Sequence, residues 1–301
     1  TSSPNPSTFG QSVTFTATVA SGSGIPTGTV TFTEGATTLA SNVAVNGSGQ
    51  ATFSTTTLAV GSHTITASFT GASGWQNSSG NDSATPQVVQ SGSSNPITLL
   101  QAKAVQGSGV PSVSAAFSSG NTAGNLILAF VRMSTTSQTV TLNDSAGNTY
   151  IQAVAQLQNS DGSQVHLFYA RNIVGGANTV TATFSSTNNH PWLTIYEYSG
   201  LNAANPLDQT ASAQGGGAAA SSGATATTTG ANELVFAATG LPASYSGTVT
   251  AGSGYTMQAS DLTGSTGANE AEIVTSTGSF TGTFNLSSSV PWSAIVATFK
   301  Q

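Results

Sequence analysis

Apolar and polar residues alternate through much of this chain, in short runs that end at turn residues. Val13, Phe15, Ala17 and Val19 are separated by single Thr residues. A period of two is typical of a β-strand with one face in a core. Runs of this kind in the first 90 residues are 12–20, 28–33, 37–45, 50–55, 62–70 and 84–90. They predict an N-terminal β-sandwich with an inward set of Val13, Phe15, Ala17, Val19, Val30, Phe32, Ala51, Phe53, Ile65, Ala67 and Phe69.

The rest of the chain contains an internal duplication. Residues 100–107 align with 208–215, and at the same spacing 126–129 align with 234–237. Further on, 191–195 match 291–295 across shorter Gly- and Ser-rich loops. The duplication predicts two related all-β, jelly-roll-like sandwich units, either separate or merged into one large sandwich. We therefore divide the chain at 1–91, 92–203 and 204–301, with a flexible linker at 90–95.

Four stretches of the first segment closely resemble bacterial immunoglobulin-like repeat domains. They are Ser-Ser-Pro-Asn-Pro-Ser at 2–7, Pro-Thr-Gly-Thr-Val-Thr-Phe at 26–32, Gly-Ser-Gly-Gln-Ala-Thr-Phe at 47–53 and Leu-Ala-Val-Gly-Ser-His at 58–63. The resemblance implies an extracellular scaffold. Members of that family carry a short strand before the first stretch, so we expect this sandwich to lack its first strand. The open edge then accepts a strand from another subunit, unless the strand is merely short or the sandwich tolerates its absence.

The duplicated region also resembles a β-sandwich module of bacterial secreted proteins. The resemblance is carried by Asp-Ser-Ala-Gly-Asn-Thr-Tyr at 144–150 and by Glu-Tyr-Ser-Gly at 197–200. It implies a lectin-like or carbohydrate-binding role.

Charge is scarce along the whole chain. Four Lys or Arg and ten Asp or Glu make up 5% of the residues, the net charge is −6, and there is no Cys. An acidic chain without a basic stripe is a poor partner for nucleic acid. No apolar run approaches the roughly 20 residues of a membrane span, so we expect no membrane insertion. The start at Thr1 fits a secreted product whose signal peptide has been removed, and a trimmed chain would begin in the same way.

Few residues are arranged for chemistry. Glu270 and Glu272 share one strand face, which we interpret as a solvated face rather than a catalytic pair. His63, His166 and His190 lack the spacing of zinc ligands, and His63 lies within the immunoglobulin-like pattern. We therefore expect no enzyme activity, no metal and no cofactor. The loop at 143–148 offers oxygen ligands for Ca²⁺, but we interpret it as an Asx-type turn.

Aromatic residues suggest a contact surface. Alternation places Trp192, Tyr196 and Tyr198 on one face of a strand, with Leu193 and Ile195 on the other. This face is a candidate platform for sugar rings or another subunit, and packing in the interior is the other interpretation. Trp292 recurs in the second copy whereas the tyrosines do not, which indicates a structural role for the Trp. The five candidate glycosylation sites are Asn46, Asn77, Asn81, Asn143 and Asn285.

These features favour an extracellular or cell-surface structural protein, a self-assembling subunit of a filament or appendage, with copies of itself and glycans as partners. The alternative is a carbohydrate-binding module or adhesin of a secreted multidomain protein. A third interpretation is a non-catalytic fragment of a larger secreted enzyme.

Overall fold

A computed structural model of the chain describes residues 1–90, 96–264 and 266–301. Within these ranges every regular secondary-structure element is a β-strand, as the alternation predicts. The chain folds into two compact units, Thr1–Ser94 and Asn95–Gln301. Residues 91–95 of the predicted linker lie outside the described ranges.

The described residues of the first unit form ten short strands in three sheets. They are β1 (Ser2–Ser3), β2 (Ser7–Thr8), β3 (Val13–Thr18), β4 (Gly28–Glu34), β5 (Thr37–Ala44), β6 (Gln50–Thr55), β7 (Gly61–His63), β8 (Ile65–Gly71), β9 (Ser78–Asn81) and β10 (Gln87–Gln90). The sheet orders are β1-β3-β6, β2-β10-β7 and β5-β4-β8-β9. All eleven predicted inward residues are buried in the core of this unit or pack against it.

The N-terminal segment corrects the expectation of a missing first strand. Ser2 and Ser3 pair antiparallel with β3, and Ser7 and Thr8 pair parallel with β10. Pro4 and Pro6 lie between these two pairings, and proline cannot donate to a strand ladder because it has no N–H. The segment therefore crosses from one sheet to another after only two paired residues, so β1 leaves part of the β3 edge uncovered.

Fourteen strands lie in the part of the second unit that the structure describes. They are β11 (Thr98–Gln106), β12 (Val110–Ala116), β13 (Leu126–Met133), β14 (Val140–Asp144), β15 (Ile151–Gln158), β16 (Ser163–Ala170), β17 (Thr179–Asn188), β18 (Trp192–Ser199), β19 (Leu207–Ala224), β20 (Glu233–Gly240), β21 (Val249–Ala251), β22 (Thr256–Asp261), β23 (Gly267–Val274) and β24 (Thr281–Lys300).

The two repeats of this unit have the same strand order. The first contains a five-stranded sheet, β11-β18-β13-β16-β15, and the second contains β19-β24-β20-β23-β22. The sheet β12-β17-β14 packs against the first of these through a shared cluster that includes Ala182 of β17 and Val131 of β13. In the second repeat the long strands β19 and β24 continue past the five-stranded sheet, where β24 also pairs with β21.

The two repeats share a core. One cluster joins Phe130, Trp192 and Tyr196 of the first repeat to Phe236 and Phe299 of the second. Each repeat also has a cluster of its own on the opposite face of its five-stranded sheet. Strands β13 and β20 are consequently buried along their whole length. This explains the continuous apolar run of β13, because a strand covered on both faces loses the alternation of a half-exposed one.

Candidate functional site

A groove of about 370 Å³ opens into the first unit beside the uncovered part of β3. One wall is formed by residues 16–20 and the other by residues 78–82, which include β9. Its floor consists of core side chains, namely Phe15, Val30, Phe32, Ile65, Ala67 and Phe69. The groove therefore combines an apolar floor with two strand walls.

The β3 wall presents backbone groups toward the groove. The Thr1 amine donates to the Thr16 carbonyl at 3.0 Å, and the Thr16 N–H donates to the Thr1 carbonyl at 2.8 Å. On the opposite side the Val19 N–H donates to Gly49. Because successive residues of a strand point their backbone groups to alternate sides, those of Thr18 face the same side as those of Thr16. No described strand pairs there beyond β1.

The opposite wall is an edge strand. β9 pairs only with β8 among the described strands, and all four of its residues are exposed. Its end is fixed because the Ile65 N–H donates to Asp82 Oδ1 at 2.7 Å. Unpaired strand edges accept an added strand through main-chain hydrogen bonds, while side-chain pockets select every second residue. This geometry suits an extended segment with alternating apolar residues.

His63 has a structural role in the same unit. It is buried, its Nδ1 lies 2.7 Å from Glu34 Oε1, and its Nε2 lies 2.7 Å from the Ala59 carbonyl oxygen. Both neighbours are acceptors, so both ring nitrogens can donate only in the protonated imidazolium. Burial acts to lower the pKa of His63, but the hydrogen bonds to Ala59 and Glu34 raise it above its usual value.

We expect the first unit to lose stability as pH rises through this raised pKa. Protonation of His63 stabilises the fold fully below the unfolded-state pKa of about 6.5, and the contribution disappears above the folded-state value. Hydrogen–deuterium exchange of peptides covering β4 and β8 should be faster at pH 8 than at pH 5.5, after correction for intrinsic rates. His63→Gln should reduce this difference. An equal difference in the variant would contradict the assignment.

The structure places the aromatic face of β18 in the interior, which corrects the prediction of an exposed contact surface. Trp192, Tyr196 and Tyr198 do share a face, but they are 2%, 1% and 2% exposed. Tyr196 packs edge-on against Phe236 with ring centroids 5.1 Å apart, and its hydroxyl donates to Asn269 Oδ1 at 2.9 Å. Both partners belong to the second repeat. These aromatics thus join the two repeats and are not exposed to a sugar or another subunit.

Glu197 anchors loops within the first repeat. Its carboxylate accepts hydrogen bonds from the side chains of Gln101, Asn121 and Asn125 and from the Thr122 N–H, all at 2.7–2.8 Å. Burial opposes ionisation, but these donors lower the pKa of Glu197. Strand periodicity gives no sign of this role for Glu197. The donors become neighbours only when the loop before β13 folds over β18.

Asp144 stabilises the loop at 143–148, for which Ca²⁺ binding was the alternative to an Asx-type turn. It accepts hydrogen bonds from the Ala146 N–H, from Asn148, from the Tyr150 hydroxyl and from the Asn178 amide. This is the Asx-type arrangement, with the carboxylate oxygens occupied by protein donors. Over the part of the chain that the structure describes, no three His, Cys, Asp or Glu side chains are grouped for metal binding.

The prediction that Glu270 lies on a solvated face is wrong. Glu270 is fully buried and Glu272 is half-buried. The Glu270 carboxylate accepts the Gly252 N–H at 2.8 Å and the Thr283 N–H at 3.0 Å. Burial raises its pKa to about 7, although the two N–H donors act in the opposite direction. The strand registers place Glu270 where the first repeat has buried Phe168.

The remaining predicted residues are dispersed. His166 Nδ1 contacts Gln152 Oε1 and its Nε2 contacts Gln164 Oε1, so amide oxygens surround its ring. His190 uses its carbonyl to accept a hydrogen bond from Arg132. The five candidate glycosylation sites are all exposed, at Asn46, Asn77, Asn81, Asn143 and Asn285. Their glycosylation stays a prediction.

The comparison with protein families supports the assignment of the first unit. Residues 1–90 match the family model of the bacterial Ig-like domain (group 3), and such domains are typical of surface and extracellular proteins. No curated protein and no solved structure matches the chain significantly. Among the described residues there is no helix long and apolar enough to cross a membrane.

Proposed function

We propose that this protein is an extracellular structural protein whose copies associate into a filament or appendage. The groove carries the proposal: a strand of one copy pairs along β3 or β9 of the next and places alternate apolar side chains over the apolar floor of the groove. Extended strands can bind in this way without large conformational change, because the backbone donors and acceptors are already aligned.

The scarcity of charge supports association of this kind. Most proteins protect strand edges with charged side chains, especially Lys. Both lysines of this chain lie outside the first unit, at positions 103 and 300, and the β9 sequence Ser-Ser-Gly-Asn carries no charge. Repulsion between approaching copies is therefore weak. The proposed role is structural rather than enzymatic, with glycosylation at exposed Asn residues as a further proposed feature.

Lysine substitutions on the groove walls test the proposal. Thr18 and Ser79 are exposed on opposite walls. We expect the double variant Thr18→Lys, Ser79→Lys to be monomeric under conditions in which the native protein forms oligomers or filaments. Light scattering after size-exclusion chromatography and negative-stain microscopy provide the measurement. The matched control is Thr38→Lys, Ser41→Lys, which adds the same charge to β5, away from the groove.

The control variant should associate like the native protein. A native protein that remains monomeric at every concentration would overturn the proposal, as would equal association of both double variants. A photoreactive residue at position 18, in a mixture of isotopically light and heavy protein, identifies the occupant. Mixed-isotope cross-links support a second copy, whereas cross-links confined to single molecules would show that the groove is filled from within one chain.

A further inference from the structure

Three ionisable side chains meet at one end of the second repeat, on adjacent strands. Asp208 lies at the start of β19, Lys300 at the end of β24 and Glu233 at the start of β20. β24 lies between the other two strands, and Lys300 is the register partner of Glu233. Leu207, next to Asp208, is paired with Phe299. The sheet itself therefore brings an amine and two carboxyl groups together from distant parts of the sequence.

The amine and the Asp208 carboxyl group are close but not hydrogen-bonded. Lys300 Nζ lies 3.8 Å from Asp208 Oδ1, beyond hydrogen-bonding distance. The Asp208 side chain is only 4% exposed and that of Lys300 is 30% exposed. A Cβ atom at Gly230 would lie 3.0 Å from Glu233 Oε1 and 3.3 Å from Lys300 Cγ. The loop containing Gly230 thus packs directly over the group.

The two carboxyl groups differ in their surroundings. Thr229 holds Asp208 in place, with its N–H bonded to Oδ2 and its hydroxyl to Oδ1. Glu233 is fully buried, and its Oε1 accepts the Gly230 N–H at 3.1 Å. Its Oε2 has no acceptor or donor partner among the described residues. Burial and the neighbouring Asp208 raise the pKa of Glu233 to about 7, which favours a proton on Glu233. Burial opposes ionisation of Asp208 as well, but its hydrogen bonds and the charge of Lys300 lower the pKa of Asp208.

We propose that Lys300 and Asp208 are joined by an intramolecular amide bond, formed with the help of Glu233. A proton first passes from the Lys300 ammonium group to the Asp208 carboxylate, so that a neutral amine faces a neutral carboxylic acid. The amine attacks Asp208 Cγ, and the new Nζ–Cγ bond gives a tetrahedral intermediate. Glu233 supplies a proton to the departing Asp208 oxygen and receives one from the nitrogen. The Cγ–O bond breaks and one water molecule leaves. The reaction is neutral in electrons and needs no cofactor.

The bond would tie together the adjacent strands β19 and β24 of the second repeat. It closes a loop from residue 208 to residue 300, which includes β20 to β23, and so restricts the unfolded chain as a disulfide does. The chain has no Cys, so disulfides cannot supply such a link. An amide is in addition independent of the redox state of the surroundings. This inference does not depend on self-association.

Intact-mass spectrometry of the folded protein after incubation at neutral pH tests the bond. We expect a mass lower than that of the sequence by one water molecule, and a proteolytic fragment in which the peptides around 208 and 300 are linked. Lys300→Arg and Asp208→Ala should show the full mass of their sequences. Glu233→Gln should form the bond more slowly or not at all, although Lys300 and Asp208 are both present.

Lys103→Arg is the matched control, because Lys103 is the other lysine and is exposed on β11. It should still lose water. Circular dichroism is needed to show that each variant is folded. A native protein that keeps its full mass after prolonged incubation would overturn the proposal. Loss of water that persists in folded Lys300→Arg would overturn it too, because that dehydration must arise elsewhere.

Discussion

Replacing Glu270 with Gln is expected to remove one of two similar contributions to the pH dependence of unfolding of the second unit between pH 5 and 8, the other being that of Glu233. Burial raises the pKa of Glu270 from 4.5 to about 7 in the folded state. Below pH 4.5 the group is protonated in both states and its contribution to stability is complete. As pH rises toward 7 the unfolded state loses its proton first, so the free energy of unfolding falls, by about 3 kcal/mol in total.

Urea unfolding followed by Trp fluorescence measures this effect, since Trp192 and Trp292 both belong to the second unit. Glu272→Gln is the control. Burial is the largest cause of the Glu270 shift and Glu272 is the smallest, so the control should keep most of the slope. An unchanged slope in Glu270→Gln would show that Glu270 is ionised normally in the folded protein. Carboxylates such as Glu197, whose pKa is lowered, act only at more acidic pH.

Truncation of Trp192 is expected to cause the largest loss of stability. The side chain is 2% exposed, packs edge-on against Phe130 with centroids 5.7 Å apart, and lies in the core shared by the two repeats. A Cβ atom at Gly267 of the second repeat would lie 3.1 Å from its ring. Trp192→Ala therefore opens a cavity between the repeats and should cost about 3–5 kcal/mol.

Chemical denaturation of Trp192→Ala, followed by circular dichroism, checks this value. Leu100→Ala is the comparison, because Leu100 is 48% exposed and its truncation should change the unfolding free energy by less than about 0.5 kcal/mol. A Trp192 variant as stable as the native protein would mean that the aromatic face is not part of the core. The experiment therefore also tests whether the aromatic face of β18 is buried.

The outcome for Glu270 shows why sequence patterns succeeded in one unit and failed in parts of the other. In the first unit each sheet has one solvated face, and alternation correctly separated Val13 and Phe15 from the threonines between them. The same rule led to the prediction that Glu270 and Glu272 lie on a solvated face. It failed because both faces of β23 have neighbours, and alternation identifies two faces without showing how many are covered.

The aromatic face of β18 is a second case in which alternation identified a face but not whether it is covered. Trp192, Tyr196 and Tyr198 do lie together, as the period of two requires, and the sequence left their environment open. The second repeat covers them, which a single strand cannot reveal. The groove beside β3 is a similar case. The sequence indicated an open edge and a missing strand near the Ser-Ser-Pro-Asn-Pro segment, but not that two residues on each side of the prolines would pair with different sheets.

The sequence by itself determined the β class, the strands and core of the Ig-like unit, and the existence of two related repeats. These are properties of local periodicity and of repeated segments, which one-dimensional order records. Only the tertiary structure decided that the repeats share a core, that Glu270 is buried, and that Asp208, Lys300 and Glu233 meet. Contacts of that kind depend on how sheets stack and which distant strands are neighbours, and the periodicity of a strand carries no information about either.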